Sequence, residues 1–124
     1  MSKFVLIVDD EREIRLILKN FLASNYPHCR AVEAVDGMEA LRKIANQKFE
    51  LIICDLKMPK ADGMEVIKSL TTKNKENKPE HVMVLSGSIT KDQAEKLNKT
   101  SPVYFMGKPF DEDELKLYLD KCLK

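Results

Sequence analysis

Four apolar runs in this sequence each end in residues that can do chemistry: carboxylates, a hydroxyl or a lysine. Carboxylates held close together repel one another and need a cation to neutralise them. Mg²⁺ meets that need, because it takes oxygen ligands and typically uses one or two carboxylates together with a phosphate oxygen. A carboxylate neutralised in this way can act as a nucleophile on phosphorus. The candidates are Asp9 and Asp10 after the run at 3–8, Asp55 after 51–54, Ser86 after 82–85 and Lys108 after 103–106.

The apolar runs have the pattern of strands in a parallel sheet. Residues 51–54 are four consecutive apolar residues without polar alternation, which is typical of a strand buried on both faces. In an open α/β sheet, ligands bind at the carboxyl ends of the strands, because loops converge there and helix N-termini point there. Pro59 and Gly63 predict a loop after Asp55. We therefore expect the polar groups to meet at one edge of the sheet.

Helical patterns separate the strands. A strict alternation of strand and helix predicts an α/β fold with a parallel sheet covered on both faces. The fourth helix, at 90–98, has few apolar residues and is expected to be weakly anchored. A further strand is predicted at 29–35. Each of the five predicted helices has apolar residues at helical spacing that would face the sheet. In chain order these residues are Ile14, Ile17, Leu18, Phe21 and Leu22; Met38, Leu41, Ile44 and Ala45; Met64, Ile67 and Leu70; Ala94 and Leu97; and Leu115, Tyr118, Leu119 and Cys122.

Length and composition restrict the class of protein. A chain of 124 residues is the size of one domain, and 21 basic against 20 acidic residues argue against a nucleic-acid or membrane-binding surface. Its apolar runs fall far short of the roughly 18 residues that a membrane span needs. We expect a soluble, cytoplasmic protein. The three widely spaced cysteines are expected to be reduced and structural, and Cys54 to be a small buried hydrophobic residue.

Taken together, the motifs resemble the receiver domain of two-component response regulators. The resemblance covers the chain from Lys3 to Leu123 and implies a single receiver domain over 1–124. It also implies a flavodoxin-like (βα)5 three-layer sandwich with a parallel five-stranded sheet in the order 2-1-3-4-5. The motifs that carry it are Asp9-Asp10, Asp55 with Met58-Pro59 and Gly63, Ser86-Gly87, and Lys108-Pro109-Phe110.

The resemblance implies a role for each of these positions. Asp55 would accept a phosphoryl group from a phosphohistidine, and Asp9, Asp10, Asp55 and the backbone carbonyl of Lys57 would hold Mg²⁺, for which Mn²⁺ could substitute. Lys108 would pair with the phosphate, and its peptide bond to Pro109 would be cis. The remaining switch residues would be Ser86, Gly87 and Phe105.

Two positions beside Asp55 and Ser86 could tune the lifetime of the phosphorylated state. Lys57 and Ser88 each lie two residues beyond the site residue and flank the path by which water would attack the aspartyl phosphate. We hypothesise that Lys57 shields the phosphoryl group, although a solvated loop lysine explains this residue equally well.

The resemblance also implies partners. A sensor histidine kinase or a histidine phosphotransfer protein would supply the phosphoryl group. A downstream protein would bind the face formed by the helix at 90–98, the fifth strand and the last helix. The protein would be a phosphoacceptor that assists its own phosphorylation and dephosphorylation, and not an enzyme. We expect a chain without an effector domain, although a segment of a larger protein also fits the sequence. The protein is expected to bind no DNA directly, to contact no membrane and to be monomeric, with dimerisation on phosphorylation left open.

Other function classes fit the sequence less well. A small Mg²⁺-dependent haloacid-dehalogenase-like phosphatase would use Asp9 as its nucleophile, but it needs a second aspartate where this chain has Glu11. A flavodoxin-like cofactor binder would place its phosphate beside the run Asp9-Asp10-Glu11, which would repel it. A pure interaction module with an inactive site is disfavoured, because none of the expected site residues is missing.

Overall fold

The computed structural model describes residues 3–55, 79–86 and 103–124. Within these residues, parallel strands form one five-stranded sheet in the order β2-β1-β3-β4-β5, which confirms the predicted flavodoxin-like α/β topology. The predicted helices at 64–70 and 90–98 lie outside the described residues. The elements are β1 (Lys3–Val8), α1 (Arg12–Asn25), β2 (Cys29–Ala34), α2 (Gly37–Asn46), β3 (Leu51–Asp55), β4 (His81–Ser86), β5 (Val103–Gly107) and α3 (Glu112–Leu123).

The central strand, β3, is buried along its whole length. Successive side chains of a strand point to opposite faces of the sheet, so the continuous apolar runs supply two cores. Leu6 and Ile52 pack with residues of α2 on one face, whereas Ile7 and Ile53 pack with α1 and α3 on the other. Cys54 is fully buried with the first group, as predicted for a small hydrophobic residue. The described part of the chain is thus a three-layer arrangement.

The helices mostly bury the predicted faces. Leu18 and Leu22 of α1 are buried, and Leu115 and Leu119 anchor α3. Three residues of the predicted stripes behave differently. Ile17, Met38 and Ala45 are exposed, because each lies at the margin of its apolar stripe, where the helix surface curves away from the sheet.

Polar groups fix where two of the helices begin. The Asp36 carboxylate accepts a hydrogen bond from the backbone N–H of Glu39 at 2.8 Å, which caps α2. Asp111 caps α3 in the same way by accepting from the N–H of Asp113 at 2.7 Å. Since α3 begins four residues after Lys108, its cap also ends the loop that carries this lysine. No helix among the described residues is long and apolar enough to cross a membrane.

The register of the sheet aligns the carboxyl ends of its inner strands. Val8 pairs with Cys54, and Asp55 pairs with Leu85. The last pair of β4 and β5 joins Ser86 to Gly107. The residues that follow these positions therefore emerge at the same edge of the sheet, as the sequence predicts.

Candidate functional site

Asp9 follows β1 and is the most enclosed carboxylate of this edge, with 1% of its surface exposed. Its backbone N–H donates to the carbonyl of Ala34 at 3.1 Å, which continues the pairing with β2. Its Oδ1 accepts the N–H of Glu11 at 2.9 Å, and its Oδ2 accepts from Lys108 Nζ at 2.8 Å. Its backbone carbonyl accepts from Arg15 Nη1 at 2.9 Å. Asp9 is thus held through its main chain and through both carboxylate oxygens.

Asp55 ends β3 and is 6% exposed. Its Oδ2 accepts a hydrogen bond from Lys108 Nζ at 3.0 Å. The same ammonium group lies 3.3 Å from Oε1 of Glu11. Lys108 therefore joins the ends of β1 and β3 from the loop after β5, and its side chain is 15% exposed. The peptide bond between Lys108 and Pro109 is cis.

The charges of this cluster are interdependent. Burial by itself would lower the pKa of Lys108, but the hydrogen bonds and negative charges of Asp9 and Asp55 outweigh that effect and raise the pKa well above its usual value. Burial raises the pKa of Asp9, and the hydrogen bonds from Lys108 and Glu11 oppose the rise. Lys108 thus keeps its positive charge at neutral pH, and the ionised form of Asp9 depends on it.

The acidic groups at this edge have the donor chemistry of a metal site. Asp9, Asp10, Glu11 and Asp55 each offer one carboxylate oxygen, and these four oxygens lie within 4.8 Å of one another. Two of the residues are buried and two are exposed, so the cluster is open to solvent on one side. Hard oxygen donors with room for water are the ligands that Mg²⁺ prefers. The residues therefore fit a hard divalent cation.

The sequence and structure of the chain match those of a known family. A model of the response regulator receiver domain matches residues 5–120. This chain belongs to that family. The receiver domain is 31% identical over 120 residues to the transcriptional regulatory protein ZraR of Klebsiella oxytoca, covering 96% of this chain and 26% of ZraR. It is 28% identical over 123 residues to the sporulation initiation phosphotransferase F of Bacillus subtilis, covering 99% of this chain and 95% of that protein.

The solved structure of a similar protein supports this assignment, and that structure contains magnesium. The response regulator protein TrrA of Thermotoga maritima, solved in complex with Mg(2+)-BeF, has a TM-score of 0.80 and 30% identity to the receiver domain. The match covers 98% of this chain and 100% of TrrA. The chain therefore spans most of two of these relatives and about a quarter of ZraR.

Family membership establishes the general role. The receiver domain is a phosphoacceptor of a two-component signalling system and not a classical enzyme. Its acidic pocket of Asp9, Asp10 and Asp55 fits the Mg²⁺ site of such domains. Histidine kinases and downstream target proteins are the general partner classes of this family. The match favours this role over the phosphatase alternative.

The structure brings four of the expected site residues together: Asp9, Asp10, Asp55 and Lys108. Phe105 is half-buried and packs against the core on the α2 side of the sheet. The backbone of Ser86 ends β4, and its side chain lies outside the described residues. Lys57, Gly87 and Ser88 also lie outside them.

Two residues of the site were not expected from the sequence. Glu11 contributes a carboxylate to the acidic cluster and contacts Lys108, although the sequence shows it only as the last residue of an acidic run. Arg15 reaches back to the carbonyl of Asp9 from the first turn of α1. A basic residue one helical turn after an acidic run was the available signal, but its partner on β2 is a tertiary contact that no local pattern shows.

Proposed function

We propose that Asp55 is the phosphoacceptor and that the residues 1–124 form one receiver domain that is switched by phosphorylation of this side chain. The observation that carries the proposal is the position of Lys108 Nζ, which lies 2.8 Å from Asp9 and 3.0 Å from Asp55 at the ends of two adjacent strands. A cation between two carboxylates neutralises their repulsion and leaves one of them able to attack phosphorus.

The burial and the position of the two carboxylates distinguish their roles. Both oxygens of Asp9 accept hydrogen bonds, and its side chain is almost completely enclosed. Asp55 is the more accessible of the two, and it stands at the end of the central strand. We therefore propose that Asp55 is the nucleophile and that Asp9 serves to hold positive charge at the site.

The transfer itself needs no acid or base from the receiver domain. An Asp55 oxygen forms a bond to phosphorus while the bond from phosphorus to the imidazole nitrogen of the donor breaks. The nitrogen keeps the electron pair, and a donor ring whose other nitrogen carries a proton leaves as neutral imidazole. Lys108 remains charged at neutral pH, because its pKa is raised, and its ammonium group would donate hydrogen bonds to a phosphoryl oxygen.

Mg²⁺ belongs to the same proposal. Asp9, Asp10 and Asp55 would hold the ion with the backbone carbonyl of Lys57, and Mn²⁺ would substitute for it. When bound, the ion neutralises negative charge on the carboxylates and on the phosphoryl oxygens. Glu11 lies at the exposed side of the cluster and offers a further carboxylate oxygen there.

Phosphorylation would be read out by residues beyond the metal site. We propose that Ser86 and Gly87 bind the phosphoryl group and that Phe105 changes its packing with them, which alters the face formed by the segment 90–98, β5 and α3. A sensor histidine kinase or a histidine phosphotransfer protein would donate the phosphoryl group, and a downstream protein would bind that face. Lys57 and Ser88 would set how quickly the domain loses its phosphoryl group in the reaction with water that it assists.

Incubation with acetyl phosphate tests the proposed chemistry. One sample is incubated with Mg²⁺ and a second with a chelator, and the product of each is measured by intact mass spectrometry. We expect one phosphoryl group per chain, formed only with Mg²⁺, stable in acid and labile in base. An adduct that forms equally well with the chelator, or no adduct at all, would refute the proposed metal-dependent phosphoacceptor.

A further inference from the structure

The peptide unit between Asp9 and Asp10 is held from outside its own loop. Its carbonyl oxygen, that of Asp9, accepts a hydrogen bond from Arg15 Nη1 at 2.9 Å. The N–H of Asp9 is paired with Ala34 on the neighbouring strand. The main chain at the end of β1 is therefore tied on one side to the sheet and on the other to α1, just before the chain reaches Asp10.

Arg15 is itself fixed by a second element. Its Nε donates to Oε1 of Glu33 on β2 at 3.0 Å, and its side chain is only 11% exposed. Lys19 contacts the other oxygen of Glu33 at 3.1 Å, so the carboxylate has a cation on each side. These contacts lower the pKa of Glu33 against the opposing effect of burial. A planar guanidinium can contact Glu33 and the Asp9 carbonyl at once, which a lysine ammonium at the same position cannot reproduce.

The Asp10 side chain depends on this arrangement more than its neighbours do. Asp9 and Asp55 are buried and contact Lys108, whereas Asp10 is exposed. Within the described part of the chain, the Asp10 carboxylate has no hydrogen-bond or ion-pair partner. The backbone therefore sets the point from which the Asp10 side chain extends, and the hydrogen bond from Arg15 to the Asp9 carbonyl holds the peptide that precedes it.

We propose that Arg15, held by Glu33, is a positioning residue of the metal site, which orients the Asp9–Asp10 peptide so that Asp10 meets Asp9 and Asp55 around the divalent cation. The inference rests on the proposed function of this site. It assigns a role to the half-buried ion pair between α1 and β2, whose residues are not among the four carboxylates of the acidic cluster.

A purely electrostatic role and a positioning role for Arg15 predict opposite changes in the affinity for Mg²⁺, so one experiment can distinguish them. Removing a positive charge near a cation site should strengthen Mg²⁺ binding if only electrostatics acts. Loss of an oriented ligand should weaken it, and residues that support metal ligands typically change affinity by about tenfold or more. We would measure the dissociation constant of Mg²⁺ for the unphosphorylated protein by calorimetric titration at constant ionic strength.

The matched variants are Arg15→Gln, Arg15→Lys and Lys19→Gln. We expect Arg15→Gln to bind Mg²⁺ about tenfold more weakly than the wild type. Lys19→Gln removes the same charge from the same carboxylate and should stay within about twofold of the wild type, because an exposed charge is strongly screened. Arg15→Lys keeps the charge but loses the planar fork, so its affinity should also fall. Unchanged or tighter binding by both Arg15 variants would overturn the proposal.

Thermal unfolding of each variant shows that the comparison is made on folded protein. If Arg15→Gln does not fold, Arg15→Lys decides: weaker binding supports the inference and wild-type affinity overturns it. The wild type and Asp10→Asn separate this inference from the proposed function. A wild type that does not bind Mg²⁺ refutes both. A wild type that binds, an Asp10→Asn variant that does not, and Arg15 variants with wild-type affinity would refute the positioning role alone.

Discussion

Replacement of Lys108 by methionine should destabilise the receiver domain through charge, and Mg²⁺ should reverse most of the loss. The ammonium contacts Asp9 at 2.8 Å and Asp55 at 3.0 Å. At an effective dielectric constant of about 20, a contact of about 3 Å between unit charges is worth about 5 kcal/mol. Desolvation of the ammonium offsets several kcal/mol of this attraction, whereas removing it leaves two buried carboxylates without their cation. We therefore expect Lys108→Met to lower the free energy of unfolding by about 3–4 kcal/mol at neutral pH in a chelator.

Urea unfolding with and without Mg²⁺ measures this effect. An ion that binds only the folded protein stabilises it by about 2.7 kcal/mol at a concentration 100 times its dissociation constant. The variant should gain more from Mg²⁺ than the wild type, since the ion no longer competes with the lysine. Lys48→Met is the matched control: Lys48 contacts Glu80 at 3.0 Å, but both side chains are exposed, so the change should cost at most about 1 kcal/mol.

The pH dependence of the Lys108→Met deficit has a definite sign. Burial raises the pKa of Asp9 in the folded protein, and the contacts with Lys108 that oppose the rise are absent from the variant. A carboxyl group with a raised folded pKa destabilises the fold once it is ionised. The deficit should therefore be full at pH 7 and should shrink as the pH falls toward the unfolded value of about 4. A deficit that changes neither with pH nor with Mg²⁺ would refute the assignment of this lysine to charge neutralisation.

Three further predictions concern the contacts that hold the helices in place. Tyr26→Phe removes a hydroxyl that donates to Asp120 at 2.5 Å, and should cost about 1–2 kcal/mol in urea unfolding at pH 7. That hydrogen bond lowers the pKa of Asp120, so its contribution is present above about pH 4 and is lost on acidification; an equal cost at pH 7 and pH 2 would contradict this. Leu119→Ala should cost about 2–5 kcal/mol and Leu117→Ala less than about 0.5, because the first side chain is buried and the second exposed; equal costs would contradict the packing of α3. Asp36→Ala should lower stability by about 1 kcal/mol through loss of the α2 cap, and Asp36→Asn, which can still cap, should lose much less.

The strands and the edge at which they end could be predicted, because each strand is marked by an apolar run and its end by a polar residue. A run such as 51–54 has no polar alternation, which is typical of a short strand buried on both faces. A polar residue directly after such a run must then lie at the carboxyl edge, so the sequence alone groups Asp9, Asp55 and Lys108. The order of the strands came from the resemblance to a family, since no local pattern states which strands are neighbours.

The exposure of Ile17 and the role of Arg15 could not be predicted from the sequence, because both depend on contacts between elements of the fold. Ile17 continues the apolar spacing of α1, yet it is exposed and lines an open groove beside Phe21 and Lys116. Periodicity locates the centre of an apolar stripe, but the packing of the neighbouring helix decides its margin. Arg15 is likewise indistinguishable from a solvated helix residue until β2 brings Glu33 next to it.

The most direct test of the central claim is the location of the phosphoryl group. Intact mass after incubation with acetyl phosphate and Mg²⁺ should be compared for the wild type, Asp55→Asn and Asp9→Asn. We predict an adduct in the wild type, none in Asp55→Asn, and a slower but measurable reaction in Asp9→Asn, which retains the nucleophile. An adduct that persists in Asp55→Asn and disappears in Asp9→Asn would contradict the assignment and make Asp9 the nucleophile.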